Sequence, residues 1–296
     1  MNNELTVAAI VVTYNRRELL AECIDALSAQ TYTNLKIYVI DNASTDGTRE
    51  YIKKYIDNGF IIYINTGKNL GGAGGFNYGI KAAGNEEYDF LWIMDDDTVP
   101  NADALEKLVN AYKINKEIGY LSSKALWKDE SLCVMNKQRD LSLHTIKDFS
   151  ENVIPSAAAT FVSLFVPLSV VKDVGLPIKD FFIWGDDLEY TRRISLKYKC
   201  YVITNSIVIH KMANNDNGSI EVTSEDRIDR YKYAYRNEVY LYRREGIKGW
   251  CHIILRTPLH VLRVLIKSKT KKCKRISVII SSTLRGIRFN PDIEYI

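Results

Sequence analysis

The chain has 296 residues, 46% apolar and 26% charged, with 16 Gly and 6 Pro. That length and balance suit one large domain or a domain with an appendage, and exclude a mostly disordered, collagen-like or linker-rich chain. The net charge of +4 is too small to argue for nucleic acid, but residues 243–288 carry 13 Lys and Arg against Glu245 alone, leaving 27 of the 40 basic and 35 of the 36 acidic residues to the rest. An acidic body with a basic tail implies an anionic partner at one end.

Residues 7–12 form a continuous, mostly β-branched apolar run, which predicts a strand buried on both faces. Leu19, Leu20, Cys23, Ile24 and Leu27 follow at helical spacing. Residues 36–40 are strand-like and end at Asp41; Ser44, Thr45, Asp46 and Gly47 then supply cap chemistry for a short helix. Residues 60–64 predict a third strand, followed by a Gly-rich turn and a helix to about Ala83. Residues 90–94 predict a fourth strand, ending in three aspartates. Four β-then-α units in this order predict a parallel sheet covered by helices.

Beyond this point the pattern is less regular. Residues 120–123, 160–166, 201–204 and 207–209 read as strands, 186–196 and 225–244 as helices, and 126–155 as polar and irregular. The five cysteines lack CxxC spacing and are odd in number, as expected of small apolar filler in a reducing compartment. The N-terminus has no cationic leader pattern, and no run of residues predicts a transmembrane helix.

Ligands of an open α/β sheet bind at the carboxyl ends of its strands. Here those ends read Thr13-Tyr14-Asn15-Arg16, Asp41-Asn42-Ala43-Ser44, Asn69 to Gly75, and Asp95-Asp96-Asp97. On an extended chain Asp95 and Asp97 face one side and Asp96 the other. Two adjacent carboxylates repel unless a cation sits between them, and hard oxygen ligands suit Mg²⁺ or Mn²⁺. An acidic turn before the helix expected near Asn101 is the plainer alternative. The glycines fit neither GxGxxG nor a P-loop; they leave a backbone free to approach a phosphate at a helix N-terminus, or simply a loop. Trp184-Gly185-Asp186-Asp187-Leu188-Glu189 places acids beside aromatic surface, where desolvation raises basicity and suits a general base; capping of a helix is the ordinary role of such acids. Glu189 with Arg192 and Arg193 reads as a surface ion pair. His210 ends an apolar run before a polar loop and is a candidate further ligand.

Taken together, VVTYNR at 11–16, DNASTDGT at 41–48, NLGGAGGFNYGI at 69–80, DDD at 95–97, WGDDLEYTRR at 184–193, His210 and YAYRN at 233–237 resemble, in order, an inverting family 2 glycosyltransferase of GT-A fold. The resemblance covers residues 7–244 and is nearest to the galactofuranosyltransferase and rhamnosyltransferase branch. It implies a Rossmann-like, mostly parallel sheet with helices on both faces over residues 1–222, and a helical, basic amphipathic region over 223–296. It further implies that Asp41, Thr13, Tyr14 and Asn15 line a nucleotide pocket, and that Asn69, Gly71, Gly72 and Gly74 lie against the nucleotide and diphosphate. Asp96, Trp184 and Arg236 also belong to the implied donor site. Asp95, Asp97 and His210 match metal ligands for Mn²⁺ or Mg²⁺. Asp187 matches the carboxylate that deprotonates the acceptor, with Asp186 its competitor. Gly185 between Trp184 and the acids departs from the usual spacing.

The implied donor is a nucleotide diphosphate sugar, UDP-linked or dTDP-linked, and the implied acceptor a glycan or lipid-linked sugar of a cell-surface polysaccharide. A nucleotidyltransferase would instead place a basic, Gly-rich loop directly after the first strand, and an inactive nucleotide-sugar-binding partner would lack a catalytic acid. The tail, with Pro258 dividing it into two short segments, reads as a membrane-surface element, so the expected location is cytoplasmic and peripheral on the inner face of the membrane. Packing on its own domain or on a second copy is the alternative, and no nucleic-acid motif accompanies the charge.

Overall fold

The computed structural model describes residues 4–136, 138–216 and 218–296. Lys137, in the irregular 126–155 stretch, and Asn217, in the loop after His210, lie outside the described residues, as do the first three residues of the N-terminus. The chain divides into two compact units: Met1–Lys179, Asp187–Asn215 and Ile293–Ile296 form the first, Asp180–Asp186 and Asp216–Asp292 the second.

The first unit opens with β1 (Val7–Thr13), α1 (Arg17–Ser28), β2 (Leu35–Asp41), α2 (Thr48–Tyr51), α3 (Lys53–Asp57), β3 (Ile61–Asn65), α4 (Gly71–Gly84) and β4 (Phe90–Asp95). It continues with β5 (Thr98–Pro100), α5 (Ala104–Ile114), β6 (Leu121–Leu126), β7 (Val153–Pro155), β8 (Leu164–Pro167), α6 (Leu168–Val174), α7 (Asp186–Ser195, all but its first residue) and β9 (Tyr201–His210). The sheet runs β3-β2-β1-β4-β8-β6-β9-β5, with β7 pairing β9. Its β3-β2-β1-β4 half is parallel, and β8 enters antiparallel beside β4.

Period-two alternation in β1 explains the two faces. Val7, Ala9 and Val11 pack with Leu20, Ile24 and Leu27 of α1 and Leu105 and Leu108 of α5. Ala8, Ile10 and Val12 pack with Phe76 and Ile80 of α4 and Val170 and Val171 of α6. Register then sets the functional edge: Thr13 lies opposite Asp41, Val12 opposite Asp95, and Asp41 opposite Asn65. The polar strand ends therefore share one rim.

Several local readings change. The glycine run is not a free loop: it forms the first turns of α4, and most of its glycines serve packing. A Cβ on Gly75 would meet Val12 and Asn42, one on Gly79 would meet Ile10 and Ile40, and one on Gly74 would meet Leu70, whereas Gly72 faces open space. Residues 201–210 form one strand, whose pairing shifts register beside Ser123 and Lys124. Glu189 and Arg193 are not a surface pair. Glu189 is buried, and the Arg193 guanidinium donates to both its oxygens at 3.0 and 2.8 Å and to the carbonyls of Val174 and Leu176. Residues 225–230 are a 3-10 turn rather than the start of an α-helix. All five cysteines are free; Cys23, Cys133 and Cys200 are buried filler, but Cys251 and Cys273 are exposed.

The second unit contains α8 (Tyr231–Arg243), α9 (Gly246–Lys267) and α10 (Lys272–Arg288). Ile220, Tyr235, Val264 and Ile279 form its small core. Pro258 does not divide α9, which runs through it. The helix loses the bond to the Ile254 carbonyl at an exposed position, and Thr257 Oγ1 donates to the Ile253 carbonyl at 2.8 Å. Arg275, one of the 13 cations of residues 243–288, is buried and donates to the carbonyls of Ile220, Thr223 and Thr270. Lys274 pairs with Asp229.

The α8–α9 crossing depends on Gly249, where a Cβ would come within 1.7 Å of the Tyr242 carbonyl oxygen. Backbone cannot yield as a side-chain tip does. Gly249→Ala is expected to destabilise the second unit by about 1–3 kcal/mol despite the higher helix propensity of Ala. Thermal unfolding that is unchanged or raised would contradict this contact.

Candidate functional site

The chain turns directly after β4. Asp95 closes the strand, Asp96 and Asp97 form the turn, and Thr98 starts β5 opposite His210 of β9. The turn is secured by the Lys211 amide donating to the Asp97 carbonyl at 2.8 Å. It separates the three carboxylates into two sets. Asp96 turns to the end of β1, accepting from Thr13 Oγ1 at 2.7 Å and from the Arg16 guanidinium at 3.2 Å. Asp95 and Asp97 instead gather with His210, their nearest ligand atoms within 4.8 Å of one another.

Within that cluster, Asp97 Oδ2 accepts from Arg16 at 2.8 Å, and Asp97 Oδ1 lies 3.0 Å from His210 Nε2. Apart from this imidazole nitrogen, the buried Asp97 Oδ1 has no partner. His210 Nδ1 lies 2.9 Å from Asn136 Oδ1, an acceptor, so this nitrogen carries a proton and Nε2 is the one turned to the carboxylates. The Asn136 amide is fixed in turn by donating to Thr160 Oγ1 at 2.6 Å.

Burial is the largest influence on the carboxyls of this site. Burial, then repulsion from Asp97, pushes the Asp95 carboxyl above its ordinary range. Burial also raises Asp96 to about 6, against the opposing pull of Arg16. Burial works against ionisation of Asp97 too, but His210 and then Arg16 hold its carboxyl below the usual value. For His210, burial would lower the imidazole, yet Asp97, with Cys133 and Asp95, pushes it up to about 10. Two carboxylates and an imidazole with ligand atoms this close together are a donor set that fits a hard divalent cation.

At the neighbouring strand ends, Asp41 is buried with both oxygens engaged, by Tyr63 Oη at 2.5 Å and the Ser44 amide at 2.8 Å. Asn15, at φ 53°, joins the β1 and β2 ends: Ser44 Oγ accepts from its amide, and its own Oδ1 accepts from the Thr45 amide at 2.7 Å. Tyr14 is exposed beside them. Asn69 Oδ1 accepts from the Gly71 amide at 2.8 Å, and Asn42 donates to the Gly71 carbonyl at 3.0 Å, which ties the start of α4 to this rim.

Asp187, in the first turn of α7, accepts at Oδ1 from the Leu188 amide at 2.7 Å. Burial raises its carboxyl to about 6, against those backbone bonds and the charge of Arg139. Thr191 of the next turn is held by Ala159, donating to its carbonyl and accepting from its amide. Asp186, the more buried of the two by accessible surface, opens the helix and belongs with the second unit. Trp184 and Arg236 also lie in that unit. There Asn237 donates to the carbonyls of Phe181, Ile183 and Trp184, and Arg236 donates to the Asp180 and Phe181 carbonyls.

The sequence reading did not assign roles to Arg16, Tyr63, Asn136 or Arg139. Arg16 had a legible position, directly after TYN at a strand end. Asn136 and Arg139 sit in the 126–155 stretch, whose irregular pattern gives no face to follow. That stretch is nevertheless the physical link between the two acidic centres, with Asn136 on His210 and the Arg139 charge acting on Asp187. Arg139 is anchored through its backbone to Ala157 and Ala158.

Residues 8–148 match the family described as glycosyl transferase family 2. Galactofuranosyltransferase GlfT1 of Mycolicibacterium smegmatis is 25% identical over 295 residues, covering 90% of this chain and 96% of that relative. Among solved structures, S. aureus TarS 1–349 in complex with UDP aligns with a TM-score of 0.57 at 15% identity, covering 96% of this chain and 72% of that chain. The chain spans 44% of the longer TarS structure. Mannosyltransferase PcManGT from Pyrobaculum calidifontis, in complex with GDP-Man and Mn²⁺, aligns with a TM-score of 0.56 at 14% identity, covering 97% of this chain and 74% of that one. These alignments speak for a shared GT-A-like fold.

Proposed function

This chain is a glycosyltransferase carrying a family 2 domain with a GT-A-like fold, and on that footing we propose that it is a metal-dependent, inverting hexosyltransferase. Its donor is a UDP-sugar, with a dTDP-sugar as the alternative; the sugar is galactofuranose or a rhamnose- or galactose-like hexose, and the acceptor a glycan or lipid-linked sugar of a surface polysaccharide. The similarity to a galactofuranosyltransferase over 90% of the chain supports that sugar class. The observation that carries the reading is the convergence of Asp95, Asp97 and His210 at the rim where the parallel strands end.

In this reading Asp95, Asp97 and His210 hold Mn²⁺ or Mg²⁺, which when bound offsets the charge developing on the departing nucleotide diphosphate. Asp41, Thr13, Tyr14 and Asn15 frame the nucleoside, and the start of α4 at Gly71 and Gly72 offers backbone amides to the donor. Asp187 accepts the proton of the acceptor hydroxyl as its oxygen attacks the anomeric carbon opposite the leaving group, a single displacement that inverts the centre. The reaction takes place on the cytoplasmic face of a membrane, where a lipid-linked acceptor would be presented.

The test is nucleotide release from UDP-galactofuranose, UDP-galactose and dTDP-rhamnose with Mn²⁺, Mg²⁺ or EDTA. Metal-dependent release from one donor, stimulated by an acceptor sugar, is the expected result. Release indifferent to EDTA would remove the metal from the mechanism. Because Asn136 sets the His210 ring, Asn136→Ala is expected to weaken Mn²⁺ binding by about 10–100-fold without unfolding the protein. Calorimetric titration with Mn²⁺ measures this; unchanged affinity would take His210 out of the ligand set.

A further inference from the structure

The second unit carries an apolar surface that its own core does not use. Along α9, Gly249, Ile253 and Val264 are buried inside the unit. On another face, from Ile247 to Ile266, the helix exposes Ile254, Leu255, Leu259, Leu262 and Leu265, each side chain between 45% and 84% accessible. At 100° per residue these residues, Ile247 and Ile266 included, fall on one side of the helix, opposite Gly249, Ile253 and Val264. Over about 20 residues at 1.5 Å each, the stripe is roughly 30 Å long. Scattered exposed leucines need no explanation, but a continuous stripe of this length does.

We infer that this stripe seats in the interfacial layer of a bilayer containing anionic lipid, with α9 lying parallel to the membrane plane. Charge selects the occupant. Helix α9 contains no acidic residue, and Lys248, Arg263, Lys267, Lys269 and Lys271 are exposed on it or directly after it. A second copy would bring the same cations against these, whereas anionic headgroups complement them. Spanning is excluded for α9 itself: one of its faces is already buried in protein, and among the described residues no helix is long and apolar enough to cross a membrane. The run at 267–275 contributes less than its charge suggests, because Arg275 is internal and Lys274 is paired. The docking element is thus the α9 stripe with its bordering lysines, which gives the membrane location proposed above a physical means.

The test uses the full chain and vesicles of phosphatidylcholine with or without about 30 mol% phosphatidylglycerol. Leu259→Glu with Leu262→Glu is expected to reduce binding to anionic vesicles at least about tenfold. Lys248, Lys267 and Lys271 changed to Gln should lower it several-fold and reduce its salt dependence. Acrylodan on Cys251, which is exposed on the same helix, should shift to the blue on anionic vesicles in a Cys273→Ser background. Circular dichroism and donor hydrolysis should be unchanged in every variant, which separates failure of docking from failure of the catalytic reading. Vesicle binding that ignores the Glu substitutions would overturn the inference. So would self-association in sedimentation velocity that the Glu substitutions abolish, without any vesicle binding by the parent protein.

Discussion

Asp97→Ala is expected to lower metal-dependent transfer by about 10³-fold or more, since a metal's charge stabilisation in the transition state is worth several kcal/mol. The substitution removes both of the residue's charged contacts, Oδ1 beside His210 Nε2 and Oδ2 on Arg16. It should spare the fold. Asp97 sits in a turn, the turn is held by its backbone carbonyl, and Arg16 retains Asp96. Asp96→Ala makes the informative comparison. Asp96 faces Thr13 and Arg16 and lies outside the cluster, so its loss should disturb the β1 end while Mn²⁺ binding persists. Mn²⁺ titration and initial rates on both variants decide the matter. Equal metal affinity in Asp97→Ala and the parent protein would show that the cluster is an internal ion pair of carboxylates with a charged imidazole.

The parallel half of the sheet was legible in the sequence because each strand obeys a strong local rule: β1 to β4 are apolar runs ending at turn or cap chemistry, and each leads into helical spacing. Register follows from the same runs, so the rim was legible too. What the sequence concealed was contact between distant segments. Asp95 and Asp97 could be assigned to one side by alternation, but only the pairing of Thr98 with His210 brings the imidazole to them. The glycines of α4 illustrate the opposite error. A glycine's freedom suggests ligand approach, yet at Gly75 and Gly79 its value is the absence of a side chain where a helix meets Val12, Ile10 and Ile40. Arg275 and the Glu189–Arg193 pair fail for a related reason: charge in a sequence reads as surface, and only the structure reveals carbonyls and carboxylates waiting inside. Pro258 was read through its local cost, which the packing of the rest of α9 outweighs.

Asp187→Asn is expected to reduce kcat by about 10²–10⁴-fold, the usual worth of a positioned general base, with donor affinity and Mn²⁺ affinity retained. The amide keeps the shape of the carboxylate and can still accept from the Leu188 amide, so the start of α7 should stay in place. Thr191 also anchors the helix to Ala159 independently of the substituted side chain. The pH profile gives a second, separable readout. Burial raises Asp187 to about 6, and a base works only when deprotonated. The parent enzyme should therefore lose activity as pH falls through about 6 and be flat above it as far as this group is concerned. In Asp187→Asn the residual rate should lack that acid limb, because Asn has no proton to gain there. Arg139→Gln should move the limb to higher pH, since the Arg139 charge opposes the effect of burial. Asp186→Asn serves as the control for the neighbouring buried acid. A large loss of kcat there, with near-parent activity and an intact acid limb in Asp187→Asn, would assign proton abstraction to Asp186 and leave Asp187 as a residue of the helix start.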